Sequence, residues 1–329
     1  MHRKQAVTRR QVLTICAGAG AAALLGPSRG QTKMPAMEWR GQALGGPAHI
    51  TIRHHDQAVA RKLVGYCVGE IERLERIFSL YRSDSEILHL NREGRLDDPS
   101  HDFRLLLGEA RRYGNLSGGA FDVTVQPLWR LYSDHFATRP GASEGPDPKE
   151  IERATALVDY RAIDLDNGRA MLGRPGMEVT LNGMAQGYIT DRVADMLRDA
   201  GMTNVLVDMG EIRALDGGTW EIGVKDPLGS GHMVKDLSIT GSAVATSAGS
   251  GSRFEKTGQF HHLFDPMTGR CASNCLSATA IAPTAMEADA LATALAVTPI
   301  ERTESLVHAF RGQWTIMVMA DGQIVEAGV

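Results

Sequence analysis

Residues 178–207, EVTLNGMAQGYITDRVADMLRDAGMTNVLV, decide how this chain is read. Glu178 to Leu181 reads as a short strand that ends at the turn Asn182-Gly183. Ala185 to Ala200 follows as a helix, with Ile189, Val193, Met196 and Leu197 on one face. Gly201 is its stop, because glycine adopts the left-handed C-terminal conformation without steric cost. Asn204 to Val207 is then a short apolar strand. Gly183 and Gly187 flank the strand-to-helix transition, where missing side chains let a ligand approach the backbone. Free amides at the start of the helix suit a phosphate. Ordinary turn chemistry, with Asn182 as the N-cap, accounts for the same residues.

Working outward, Ala43 to Arg53 ends in an alternating stretch that reads as a strand. Asp56 to Phe78 carries Val59, Leu63, Cys67, Ile71, Leu74 and Phe78 at helical spacing. Ser79 to Arg82 leaves that helix, and Ser83-Asp84-Ser85-Glu86 starts another. Asp102 to Asn115 is a further helix, broken at Ser117-Gly118-Gly119. Arg139 to Pro148, RPGASEGPDP, is a turn-rich surface segment between two halves. Trp220 to Lys225 and Leu237 to Thr240 read as strands, Glu287 to Val297 as an Ala-rich helix, and Trp314 to Ala320 as a final apolar strand. No internal repeat is visible. Strands and helices together imply α/β or α+β, and their order leaves both open.

The 329 residues carry 35 Lys+Arg against 39 Asp+Glu, a formal charge of −4, so there is no basic footprint for nucleic acid. A content of 43% hydrophobic and 22% charged residues excludes disorder over most of the length. Ile15 to Leu25, ICAGAGAAALL, is the one long apolar run, shorter than the roughly 20 residues a membrane span needs. It follows Arg3, Lys4, Arg9 and Arg10, and Thr8-Arg9-Arg10-Gln11-Val12-Leu13 resembles a twin-arginine signal. Residues 1–30 are therefore expected to be an export signal, cleaved between Gly26 and Ala36, and 31–329 the working domain in the periplasm. Cys67, Cys271 and Cys275 would remain. Three cysteines make no complete disulfide framework, although Cys271 and Cys275 could close a small loop.

The usual phosphate motifs are missing. Gly249-Ser250-Gly251-Ser252-Arg253-Phe254 has Phe where a dinucleotide fingerprint ends in Gly, and no Walker lysine, GxSxG elbow or HExxH is present. The strongest local chemistry is Asp289 with Thr293. Four apart on a helix, they share a face and offer hard oxygen ligands for Mg²⁺; small Ala neighbours would leave room for a ligand. A helix-dipole role for Asp289 is the competing reading. His262, in His261-His262-Leu263-Phe264-Asp265-Pro266, is either a proton acceptor or a satisfied structural histidine. In Gly119-Ala120-Phe121-Asp122, Phe121 could stack on an aromatic ligand or fill the core, and Asp122 could cap a short helix.

Taken in order, these stretches resemble the FAD:protein FMN transferase (ApbE) family from about Leu44 to Val318. The stations are Phe78 to Tyr81 with Ser85-Glu86, Gly119 to Thr124, Asn182 to Tyr188 with Asp191, Ala245 to Ser247 with Arg253, His262 to Gly269, and Glu287 to Asp289 with Thr293. The signal and the LNGMAQGYITDRV wording resemble the NosX branch. The resemblance implies an α+β fold of mixed, largely antiparallel sheets flanked by helices, with the ligand site between two halves. It implies Mg²⁺-dependent transfer of FMN from FAD to a Thr hydroxyl of a target flavoprotein, with AMP leaving. The acceptor would present an exposed Thr, on a NosR-type protein of nitrous oxide respiration if the branch resemblance holds. Any membrane association would come through a membrane-bound acceptor or an uncleaved signal. By the same match Asp289, Thr293 and Gly183 hold the metal, and Leu44, Tyr81, Ala120, Phe121, Asp122, Thr180, Gln186 and Leu263 contact FAD. His262 and Asp289 carry the catalysis. The sequence departs from the family's usual Asp at Thr180, from an acidic residue or Lys at Gln186, and from a polar residue at Ala292. The same site could instead hydrolyse FAD to FMN and AMP, or hold FAD without chemistry as an accessory protein.

Overall fold

The computed structural model describes residues 22–23, 34–166 and 168–328. The expected signal, with Cys16, lies outside the described residues except for Ala22–Ala23 (β1), which pairs antiparallel with Gly223 and Ile222. In chain order the other elements are β2 (Ala36–Ala43), β3 (Gly46–Arg53), α1 (Gln57–Phe78), α2 (Glu86–Glu93), β4 (Arg95–Asp97), α3 (His101–Ser117), α4 (Gln126–Thr138) and α5 (Pro148–Thr155). Then follow β5 (Ile163–Asp164), β6 (Arg169–Leu172), α6 (Ala185–Asp199), β7 (Val205–Asp208), β8 (Ile212–Ala214), β9 (Trp220–Lys225), β10 (Met233–Ile239) and β11 (Ala243–Ala248). The chain closes with β12 (Cys275–Ala282), α7 (Ala285–Val297), α8 (Thr303–Ala309), β13 (Trp314–Met319) and β14 (Ile324–Gly328). Among the described residues no helix is long and apolar enough to cross a membrane.

An eight-stranded sheet in the order β14-β13-β12-β11-β8-β7-β3-β2 forms the centre, and every described strand pair is antiparallel. This is the α+β architecture that the sequence implied. Both faces of the sheet are buried at its central strands. Val205 and Val207 of β7 face the helices while Leu206 faces the small β1-β9-β10 sheet. Ala243 and Ala245 of β11 alternate with Val244 in the same way. Burial on both sides explains why β7 reads as an unbroken apolar run rather than as alternation.

The helical layer packs α7 on β11 and β12, α6 on α7, and α1 on α6. In α1, Asp56 accepts from the amides of Ala58 (2.9 Å) and Val59 (3.0 Å). That side-chain cap fixes its start. Its buried stripe is Ala60, Val64, Cys67, Ile71, Leu74, Ile77 and Phe78. The stripe is rotated from the one read in the sequence, since Val59 is exposed. Each large apolar side chain so buried contributes about 1.5–3 kcal/mol. Helix α7 is apolar nearly all round, as a helix enclosed on every side must be. Its alanines meet alanines of β11 and β12, so the helix lies close on the sheet. The room those alanines leave is therefore filled by protein, and Ala292 is fully buried in the core.

Several readings change in three dimensions. Ala43 to Arg53 ends in the strand read there, β3, which is the second arm of a hairpin whose first arm, β2, precedes it. Glu178 to Leu181 is extended yet belongs to no sheet. The Asn91 side chain accepts from the Val179 amide (2.7 Å) and donates to the Val179 carbonyl (2.8 Å), so one amide group takes the place of a neighbouring strand. Of helices α4 and α5, the sequence offers only a short helix after Asp122, and α4 starts at Gln126. The two helices carry Leu128, Tyr132, Phe136 and Ala154 into a separate aromatic cluster with Phe254, Phe260 and Phe264. The apolar strand β13 is followed by one more, the edge strand β14. Asn182 is not an N-cap: α6 starts at Ala185 without any side-chain cap. The three described cysteines are free thiols. Cys271 donates to the His261 carbonyl and Cys275 to that of Ser277, rather than pairing with each other.

Candidate active site

A cavity of about 300 Å³ opens where α7, the end of β11 and the loops around residues 120–126, 180–186 and 251–266 meet. That is the lower end of the size range for small-molecule sites. Asp289 and Thr293 reach it from one face of α7. The Asp289 carboxylate accepts from the Gly187 amide at 3.4 Å, and the Thr293 hydroxyl lies 3.1 Å from that of Ser247. Gly183 sits against both Thr293 and Phe121: a β-carbon there would come within 3.1 Å of the threonine oxygen. The fold uses other residues at the start of α7. Thr284 accepts from the Glu287 amide, and Asp191 accepts from the amides of Ala285 and Met286, each at 2.9 Å. Asp289 lies one turn further on, so it does not cap the helix.

Glu211, unread in the sequence, shares this cavity. It stands between β7 and β8 and is 93% buried by its 7% exposure. Its Oε2 atom has no hydrogen-bond partner among the described residues. Burial, reinforced by the Asp289 charge, pushes the Glu211 carboxyl well above its ordinary range, and burial pushes that of Asp289 up as well. Arg130 is the one Lys or Arg among the described lining residues, and it pairs with Glu178 at 2.7 Å. Arg213 is held by Asp191 at 2.6 Å. Two buried carboxyls, one of them with an orphaned oxygen, and a hydroxyl pair make a donor set of hard oxygens, which fits a divalent cation such as Mg²⁺. Among the described residues no group of three or more His, Cys, Asp and Glu forms a metal cluster, so hydroxyl and backbone oxygens would complete such a site.

His262 lines the opposite wall. Its Nδ1 lies 3.2 Å from the Ser252 carbonyl. A carbonyl only accepts, so Nδ1 carries the proton and Nε2 is left as the accepting nitrogen. Burial, together with the nearby His261 ring, pushes the His262 pKa down to about 4, so the ring is neutral at pH 7. His261 is the structural one of the pair, with Nε2 on the Ala272 carbonyl at 2.8 Å and Nδ1 accepting from the Leu263 amide.

Tyr81, Ala120, Phe121, Asp122, Thr180, Gln186 and Leu263 also line the cavity. Leu44 does not. It occupies the β2–β3 turn in a left-handed conformation (φ 47°), with its amide donating to Glu75 at 2.7 Å, and is buried in the main core. The Asp122 oxygens are already engaged by the Thr124 amide and hydroxyl and by the Tyr160 amide, so this carboxylate shapes the loop instead of capping α4. Gln186 donates to the Met209 carbonyl at 3.0 Å, which ties α6 to the turn that carries Glu211. The Thr180 hydroxyl accepts from the Asn182 amide. Glu211 had a faint signal in the sequence, an acid-x-Gly-acid turn (Asp208 to Glu211) after an apolar strand; only the fold brings that turn to Asp289.

The ApbE family model matches residues 44–318. The chain belongs to the ApbE family. Relatives of this ApbE chain are transferases by name. The FAD:protein FMN transferase of Haemophilus influenzae is 32% identical over 233 residues, 67% of each chain. That of Treponema pallidum is 28% identical over 288 residues, 79% of this chain and 78% of its own. Among solved structures, the ApbE protein of Thermotoga maritima superposes with a TM-score of 0.79 at 28% identity, covering 89% of this chain and 97% of its own. The flavin transferase ApbE of Vibrio cholerae does so at 0.75 and 26%, with the same coverage.

Proposed function

We propose that this chain is an FAD:protein FMN transferase that moves FMN from FAD to a threonine hydroxyl of a target flavoprotein, with Mg²⁺ and release of AMP. The observation that carries this reading is the meeting of Asp289, Thr293 and Gly183 with a neutral, proton-accepting His262 in one cavity of an ApbE-family fold. Asp289 Oδ, Thr293 Oγ1 and the Gly183 carbonyl would hold the metal. When bound, Mg²⁺ supplies charge neutralisation at the pyrophosphate oxygens. His262 Nε2 accepts the hydroxyl proton as the threonine oxygen bonds to the FMN phosphorus and the phosphorus–oxygen bond to AMP breaks. A base this weak is serviceable, because phosphoryl transfer passes through a loose transition state governed by positioning and charge. Phe121, Leu263 and Tyr81 offer apolar and aromatic surface for the flat ring systems of FAD.

Residues 1–30 act as a twin-arginine-type signal ahead of one flavin-transferase domain, 31–329, which works in the periplasm. The acceptor is a flavoprotein domain of the NosR type with an exposed Thr. The test is to incubate the protein with FAD, Mg²⁺ and such a domain, and to follow acceptor mass and AMP. A gain of one FMN that Asp289→Ala abolishes supports the reading. AMP with an unmodified acceptor would point to FAD hydrolysis, and bound FAD with neither product to an accessory flavin carrier.

A further inference from the structure

Glu211 is a buried acid that the mechanism above leaves unused. Its main chain is tightly held: the carbonyl accepts from the Met209 amide at 3.0 Å and from the Thr190 hydroxyl at 3.2 Å. A backbone hydrogen bond from Thr246 holds the carboxyl. Oε2 is nonetheless unpartnered, in a residue only 7% exposed that lines the same cavity as Asp289. An acid that served only the fold would have this oxygen satisfied, because an unmade hydrogen bond in the interior costs free energy. Among the described lining residues the one Lys or Arg is Arg130, which pairs with Glu178, and Arg213, two residues on from Glu211, is engaged by Asp191. A divalent cation satisfies a lone carboxylate oxygen and a second carboxylate beside it at once.

We propose that Glu211 is a further carboxylate ligand of the divalent cation, directed at it across the cavity from Asp289. The inference rests on the metal site proposed above and adds a residue to it. It also gives Gln186 and Thr190 a purpose: their bonds to Met209 and to Glu211 hold the Asp208–Glu211 turn in register with α6, and through α6 with α7.

The test uses Mn²⁺ alone as the probe, titrated into the metal-free full chain and followed by electron paramagnetic resonance, with a thermal melt of each variant without metal. Glu211→Gln is expected to weaken Mn²⁺ binding about tenfold or more, since it removes one charged ligand, while the metal-free protein melts no lower than the parent. Asp289→Asn is the reference variant and should weaken binding at least as much. Mn²⁺ affinity within about twofold of the parent in Glu211→Gln, with Asp289→Asn impaired, would overturn the role of Glu211 and leave the metal site standing. No saturable binding in the parent, or full binding in Asp289→Asn, would overturn both. If Glu211→Gln fails to fold, Glu211→Asp decides. It keeps the charge but draws it back by one methylene, so a retained fold with weakened Mn²⁺ binding supports ligation, and unchanged binding refutes it.

Discussion

Gly187→Ala is the most informative single change outside the reacting groups. Gly187 lies in the first turn of α6, where α6 crosses the start of α7. A β-carbon built there meets the Ala285 carbonyl oxygen at 2.5 Å, the Ala285 carbonyl carbon at 2.7 Å and the Met286 α-carbon at 2.7 Å. All three are backbone atoms, so no side chain can swing aside. Carbon–carbon contacts settle at about 3.5–4.0 Å, so the two helices must separate by roughly 0.8 Å. Overpacking of this kind costs about 1–3 kcal/mol. For a chain of this size that is a melting temperature lower by roughly 2–5 °C. The same shift pulls the Gly187 amide away from Asp289, a contact already long at 3.4 Å. A displacement approaching 1 Å at a catalytic group lowers a rate by about 10–100-fold. Differential scanning calorimetry and FMN transfer to an acceptor measure the two effects. Gly69→Ala is the control, since a β-carbon at that position in α1 meets nothing within 4 Å. A Gly187→Ala protein that melts within about 1 °C of the parent and transfers FMN at the parental rate would refute the close-approach argument.

Asn91→Ala removes both partners of Val179, whose amide and carbonyl are buried, and should cost about 2–4 kcal/mol in a urea unfolding titration. His262 should show no titration between pH 5.5 and 8 by NMR of its ring protons, with a midpoint at about 4. Because that value lies below the 6.5 of an unperturbed histidine, the unfolded chain binds this proton first. The contribution of His262 to stability is then complete above about pH 6.5 and is lost as the pH falls towards about 4, by at most ~3 kcal/mol, less for the ring's partial access to the cavity. His262→Ala should lower the transfer rate by about 10²–10⁴-fold with FAD affinity retained, checked by single-turnover kinetics and equilibrium dialysis. Replacing Arg9 and Arg10 together by Lys should leave the protein in the cytoplasm, as fractionation of the producing bacterium would show.

Local chemistry made several elements legible. Asp56 announces α1 because its short carboxylate satisfies two amides that the helix cannot. Gly201, at φ 85°, stops the chain after α6 because only glycine takes that conformation freely. Asp289 and Thr293 announce a shared face because the helical repeat dictates it. Readings failed where a long-range partner replaced a local one. The stretch at Val179 looks like a strand, yet its hydrogen bonds go to a side chain 88 residues away.

The site divides along the same line. Residue chemistry and spacing identify which groups are able to act: a carboxylate and a hydroxyl one turn apart, a histidine beside a turn, glycines at a strand-to-helix passage. That His262 is neutral with Nε2 accepting, that Glu211 lines the same cavity as Asp289, and that Asp122 bonds within its own loop come from tertiary packing. Those properties depend on burial and on partners distant along the chain, such as the Ser252 carbonyl and the Tyr160 amide. Proton affinity follows the local dielectric and the neighbouring charges, and both are set by what the fold brings near a residue.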